Sequence, residues 1–313
     1  MSLPWANADP GRFIAGNRAA EALQVMLNVL AVPYLSEKSA KCRPGHWSTQ
    51  RCLFSVPVEL VSPDTLVDAL GHVLSELGMT DDDARECLAP LHDHLDDGRA
   101  LPHFLHLGVE DDRCKIYWES PLPDPIPRDS RFVLYRAWKW RAGESVARSD
   151  YVLLPTAGEA RQAIERELAE QPASPLHDVI EQLQISYALG QTSWPPLTVR
   201  VEEIQAGRAT GRDSLNLHLH QADLPLGTLA GTLFSLTRDW RSAARETLVS
   251  WMAKHGNETL SNLSFGCDRG GQSFLTCYHG TTRHHPTRTA QPRRSDRIPG
   301  SARHARQPAP QTV

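Results

Sequence analysis

Arg113, Lys115, Tyr117 and Glu119 stand at alternate positions in the run D-R-C-K-I-Y-W-E-S-P, with Cys114, Ile116 and Trp118 between them. Side chains alternate across a strand, so this spacing gathers the four polar groups on one face and the apolar ones on the other. Two fixed cations suit a bound polyanion, or a leaving group that gains negative charge as its bond breaks. The phenol ring beside them can stabilise a cation, at roughly 0.5 to 1 kcal/mol when exposed and more when dry. The same face also fits a plain surface arrangement, with Lys115 paired to Glu119 or to Glu202 on another strand.

Other groupings carry weaker chemistry. His218-x-His220 shares a strand face and could ligate a metal, with His92-x-His94 and His103-x-x-His106 as further candidates. No acidic or cysteine partner is well spaced to complete such a site, so no metal is expected. Asp82-Asp83-x-x-Glu86 has the look of an acidic magnesium motif, but it follows Thr80 at a helix start, where a cap and acidic residues favour the positive dipole end. Tyr135 to Trp140 could line a pocket for a planar ligand, although tryptophans in a strand more often pack on helices. Asn257-Glu-Thr and Asn262-Leu-Ser match glycosylation acceptors, which mean nothing without a secretory signal. No phosphate-binding glycine loop, G-x-S-x-G elbow or dinucleotide fingerprint is present.

The elements that must position these residues lie in a chain of 313 residues, of ordinary globular composition at 40% hydrophobic and 22% charged. The six cysteines include no C-x-x-C pair and fit a reducing compartment. The N-terminus lacks the order of a signal peptide, and the longest apolar stretch, Ala22 to Leu35, is interrupted by Gln24, Asn28 and Pro33. A cytoplasmic protein without a membrane partner is expected. The net charge of -4 is uneven, because seven arginines after Gly280 face only Asp296, which leaves residues 1–280 about -10 by difference. An acidic body argues against nucleic acid as a partner. The tail has no apolar periodicity and should be disordered. The expected organisation is an N-terminal extension over 1–15, a single α+β barrel-like domain over 16–280, and a disordered basic tail over 281–313.

Within the domain, apolar spacing behind Asn17, Ser62 and Thr80 predicts helices, and strands are expected at Arg51 to Leu60, Leu101 to Glu110 and Arg113 to Ser120. Two further strands are expected at Arg131 to Trp140 and Tyr151 to Leu154. Helix pairs and strand pairs then alternate to His279, and the order of Leu66 to Ser120 recurs in Leu229 to Gly280, a weak internal repeat. Several strands split into polar and apolar faces: Thr198, Arg200 and Glu202 against Val199 and Val201; Asn216 and His218 against Leu215 and Leu217; Thr276 and Tyr278 against Leu275 and Cys277. An antiparallel sheet under helix pairs buries the apolar face. Arg, Lys, Tyr, His and Asn on the other face predict a closed barrel with a polar lumen.

The R-x-K-x-Y strand and the repeated order of two helices and two strands resemble the aromatic prenyltransferases of the antiparallel ααββ-barrel type. The repeat covers about residues 60–280, whereas the strand motif is short, and the helix pair that the pattern asks for between Glu119 and Arg131 is missing. The resemblance implies transfer of a prenyl group from an allylic diphosphate to an aromatic acceptor, an indole or phenol in a small molecule or a peptide, as in secondary metabolism. By the same resemblance, Arg113, Lys115 and Arg200 would bind diphosphate, Tyr117 and Tyr278 would shield the carbocation, and Glu59 would anchor the acceptor. Asn216 and His218 would stand elsewhere in the lumen, where the family more often has Lys, Gln or Tyr. No resident cofactor is implied, and magnesium is compatible with the diphosphate. The competing reading is a non-catalytic binding or scaffold protein whose polar sheet face meets a peptide or protein.

Overall fold

A computed structural model of the protein describes residues 17–127, 130–170 and 175–285. Ten antiparallel strands close into a barrel: β1 (Tyr34–Arg43), β3 (Arg51–Pro57), β4 (Phe104–Glu110), β5 (Arg113–Glu119), β6 (Val133–Trp140), β7 (Ala147–Leu154), β8 (Thr198–Gln205), β10 (Asp213–His218), β11 (Leu260–Cys267) and β12 (Ser273–His284). Each pairs with the next in this order. The ring is completed by β12 on β1 and by β8 on β10. Two short strands, β2 (His46–Ser48) and β9 (Arg208–Ala209), extend the β1 and β8 hairpins.

Among the described residues seven helices surround the barrel: α1 (Arg18–Leu30), α2 (Pro63–Glu76), α3 (Asp81–Asp97), α4 (Ala157–Ala169), α5 (Leu176–Leu189), α6 (Ala230–Asp239) and α7 (Arg245–His255). Their starts follow the capping chemistry read from the sequence. Asn17 accepts from the Ala19 and Ala20 amides, Ser62 from Thr65, and Thr80 from Asp83. Asp82 and Glu86 on α3 pair with Arg85 and Arg148, as befits a capped acidic helix start rather than a magnesium site.

The helices divide the outer core in two. α1, α2 and α3 cover the outward residues of β3 to β6, including Phe54, Leu107, Ile116 and Trp138, while α4 to α7 cover those of β10 to β12, including Leu217, Phe265 and Leu275. Trp118 and Trp140 point outward and donate their indole N–H to the carbonyls of Cys87 and Leu77 on the helix side. Among the described residues no helix lies between β5 and β6, so that stretch of wall has a wet outer surface. There Arg131 bridges Asp150 and Glu202 at 3.0 and 2.7 Å, and Arg136 reaches Asp150 at 3.2 Å.

Three expectations change. β1 has no clear apolar alternation in Y-L-S-E-K-S-A-K-C-R, yet it forms the seam that closes the barrel. β12 runs on past Gly280 to His284, with Thr282 paired to Ser36 and His284 sharing a 2.7 Å hydrogen bond with the Ser36 hydroxyl, so the first residues assigned to the basic tail belong to the barrel. The tail beyond residue 285, and all of the N-terminal extension, lie outside the described residues. The strand expected over Arg51 to Leu60 ends at Pro57, which has no N–H to donate, and residues Val58–Leu60 turn away as a short 3-10 helix. Among the described residues, no helix is long and apolar enough to cross a membrane.

Candidate active site

The lumen is layered. At the end near the β4–β5 hairpin, Lys41, Arg51, Lys115, Lys139, Arg212 and Arg269 surround, among the described residues, the two carboxylates Glu110 and Glu203. Glu110 pairs with Arg51 and Lys115, and with Lys41 at 3.5 Å. Glu203 accepts from Arg269 at 2.5 Å and lies 3.6 and 3.7 Å from Arg212 and Lys139. Across the β4–β5 pair Gly108 faces Lys115, and a Cβ there would crowd the Leu53 methyl at 3.2 Å and the Lys115 Cβ at 3.4 Å. Glycine therefore makes room for the lysine.

Burial and partners set the charge states of this layer. Desolvation pulls Lys115 down to about 7 and Lys41 to about 8, only partly offset by Glu110. Lys139 is pushed well below its ordinary value, first by burial and then by Arg212. Burial alone would raise Glu110 and Glu203, but the surrounding cations overcome it, holding Glu110 far below the carboxylate range and Glu203 at about 2. Arg51 and Lys139 are almost wholly buried, with side chains 4% and 3% accessible, whereas Lys41, Lys115 and Arg212 keep 19%, 12% and 17%. The first two are fixed by the carboxylates. The other three retain surface that an anion can reach.

Tyrosines form the next layer. Tyr117 and Tyr135 each meet Tyr151 edge to face, with centroids 5.7 and 5.8 Å apart, and Tyr278 lines the same space. Such contacts hold large rings in place while leaving their faces open. Burial drives Tyr117, Tyr135, Tyr151 and Tyr278 above their ordinary pKa, so all four stay neutral phenols.

Beyond the tyrosines lies a cavity of about 280 Å³. Two hydrogen-bonded groups stand in its wall. In one, His106 shares hydrogen bonds with the Ser55 hydroxyl at 2.7 Å and with Glu119 at 2.8 Å. Burial would raise Glu119, but the bond from His106 and the nearby His103 and His218 hold it below its ordinary value. In the other, Glu37 accepts from Ser261 and, at 3.1 Å, from Thr281, both on Oε1. Here burial wins, and Glu37 is raised. His218 stacks on Tyr135 at 5.8 Å, and burial lowers it to about 4.

The residues singled out in the sequence fall into three groups. Lys115 lies in the cation layer, and Tyr117, Tyr278, Asn216 and His218 line the cavity. Arg113 shares the face of Lys115 and Tyr117 but sits at the end of β5 beside the hairpin turn, half-buried. Arg200 and Glu59 are not brought to the lumen. Arg200 pairs in register with outward Leu215, whereas Val199 and Glu203 turn inward, because the wet outer wall here reverses the polar-in assumption. Glu59 is exposed on the 3-10 turn after Pro57. The carboxylates on the cavity wall are instead Glu37 and Glu119.

Lys41, Arg51, Arg212 and Tyr151 were missed, whereas Tyr135 and Lys139 belong to the stretch Tyr135 to Trp140 already weighed as a pocket wall. Tyr135 and Lys139 carried a signal, since both alternate with Trp138 and Trp140 in a strand already recognised. Lys41 had none, because β1 lacks a patterned outer face.

His218 and His220 belong to no three-donor group among the described residues. Among the described residues, His255, Glu258 and His279 have donor atoms within 4.8 Å of one another, on the outer side of the barrel. Glu258 there already takes hydrogen bonds from Lys38 at 2.8 Å and shares others with His255 and His279 at 3.0 and 2.7 Å. That set reads as a neutralised ion-pair cluster.

A closed ten-strand antiparallel barrel with helices packed around it is the ααββ-barrel fold of the aromatic prenyltransferases. No family model and no curated protein matches the sequence, so the likeness is one of structure. The chain is similar to 5-dimethylallyltryptophan synthase from Streptomyces coelicolor, at 13% identity over 86% of this chain and 93% of that one, with a TM-score of 0.51. It is also similar to the prenyltransferase PriB bound to product diphosphate, at 12% identity over 87% and 93% of the two chains and a TM-score of 0.55. A ternary complex of PriB with L-tryptophan and dimethylallyl thiolodiphosphate gives 12% identity, 85% and 92% coverage and a TM-score of 0.54.

Proposed function

We propose that this protein transfers a prenyl group from an allylic diphosphate to an aromatic small molecule. The observation that carries the reading is the surplus of lumen cations stacked against a tyrosine-lined cavity. In this reading the diphosphate meets Lys115, Lys41 and Arg212, while Arg51 adds fixed positive potential from behind. The C1–O bond breaks, its electron pair leaves with the diphosphate, and these cations stabilise the charge that develops. Tyr117, Tyr151 and Tyr278 face the allylic cation and keep water from it. The aromatic ring attacks C1, the C–C bond forms, and the ring proton leaves while its bonding pair restores aromaticity. The His106–Glu119 pair is the acceptor for that proton.

A cavity of about 280 Å³ is at the small end of ligand sites, which favours a five-carbon donor and a one- or two-ring acceptor. Both carboxylates of the donor layer are already held by cations, so diphosphate binding does not require magnesium. Because the sheet closes, Lys115 and Tyr117 are withdrawn from the open face that a scaffold would use for a protein partner. The test is incubation of the full chain with dimethylallyl diphosphate and a panel of indoles and phenols, free and in short peptides. A product that gains one dimethylallyl group supports the proposal, and no product with any acceptor counts against it.

A further inference from the structure

We propose, on the footing of the prenyl-transfer reading, that the acceptor is an aromatic amine which enters as a cation and carries no carboxylate. The acceptor half of the cavity is rich in groups that receive hydrogen bonds. Glu37 and Glu119 stand in its wall, and the buried amide oxygens of Asn216 and Asn262 have no partner among the described residues. Buried polar atoms are ordinarily satisfied, and those that are not mark a place where a ligand or water completes the site. Oxygens are completed by donors. Glu37, held by Ser261, and Asn262 line the same cavity, so a carboxyl group and an unsatisfied amide share its wall.

Positive charge free to pair a carboxylate is missing from this half, since His106 is already bound to Ser55 and Glu119. Among the described residues that line the cavity none is Lys or Arg, because the cations lie beyond the tyrosines and serve the diphosphate. His218 and His220 are both lowered by burial, so neither offers an imidazolium near neutral pH. An amino acid's α-carboxylate would therefore meet ionised Glu119 and the acceptor oxygens of Glu37, Asn216 and Asn262 with no free cation to pair it, whereas an ammonium donates to those oxygens and favours the ionised form of Glu37 that burial alone disfavours. Like charges brought together in a desolvated pocket reject a ligand as effectively as good contacts select one. The flat part of the ligand rests among Tyr135, His218 and Phe104.

The test uses the full chain saturated with dimethylallyl thiolodiphosphate and titrated with ligands that share a ring but differ in charge: tryptamine, 3-methylindole, L-tryptophan and indole-3-propionate, then tyramine and its phenolic counterparts. The amine should bind at least about tenfold tighter than the neutral ring in one series, with the carboxylates weakest. Glu37→Gln should remove most of that advantage while leaving the affinities for the neutral ring and the thiolodiphosphate near those of the parent. If Glu37→Gln fails to fold, Asn262→Leu is read in its place. Carboxylate ligands binding as tightly as amines, an amine advantage that survives the substitution, or no binding in either series would overturn the proposal. Failure of the thiolodiphosphate itself to bind would count against prenyl transfer instead, and the charge order would then be read from titrations without it.

Discussion

Lys115 donates a hydrogen bond to Glu110 across the β4–β5 pair, and the same carboxylate binds Arg51 from β3. One acid thus holds two lumen cations, with Lys41 close behind. Removing one partner of a buried ion pair typically costs about 3 to 5 kcal/mol, because the other charge is left unpaired. Glu110→Gln should fall at the lower end, since Lys115, already depressed to about 7, can shed its proton. Urea unfolding measures the loss, and dimethylallyl diphosphate should restore part of it by supplying the missing negative charge.

Proton uptake should accompany donor binding. With Lys115 at about 7 and Lys41 at about 8 in the free protein, both are partly neutral at pH 8. A diphosphate favours their charged forms and raises both values, so protons are taken up on binding. Affinity should fall as pH rises from 7 to 9. Calorimetry at pH 8 in buffers of different ionisation enthalpy would show this, and a buffer-independent heat would contradict it.

The assignment of faces has its own check. A hydrogen bond to a charged group contributes about 1.5 to 3 kcal/mol, so Lys115→Met should weaken diphosphate binding roughly ten- to hundredfold. Arg200→Ala and Glu59→Gln should leave it within about twofold, because neither side chain reaches the lumen. Titration of the three variants with one diphosphate compares them directly.

His106→Gln and Glu119→Gln should slow product formation by roughly 10²- to 10⁴-fold, the usual scale for loss of a positioned proton acceptor. Donor affinity should be unchanged. A ring-deuterated acceptor provides the finer readout, since an isotope effect that grows in the variants places the loss in proton removal. A fall in donor affinity with no change in isotope effect would assign these residues a structural role.

Much of the barrel was legible because its strands alternate. In β5 and β10 the outward residues are apolar, helices cover them, and Lys115, Tyr117, Asn216 and His218 could be placed in the lumen from spacing alone. The same logic misplaced Arg200, since among the described residues no helix lies between β5 and β6 to dry the neighbouring wall, and local sequence does not say which strands are covered. β1 was invisible for a related reason: Glu37 and Lys41 face inward, but its outer face is interrupted by Ser36 and Lys38, so no period of two emerges. Which cations converge was also hidden, because Lys41, Lys115 and Arg212 come from strands far apart in the chain.

The most direct test of the central claim is calorimetric titration of the full chain with dimethylallyl thiolodiphosphate in the presence of EDTA, parent and Lys115→Met side by side. Saturable one-to-one binding by the parent, weakened at least about tenfold in the variant, is the result expected of a lumen donor site. Absence of binding by a parent protein that melts cooperatively, or equal binding by both proteins, would contradict it.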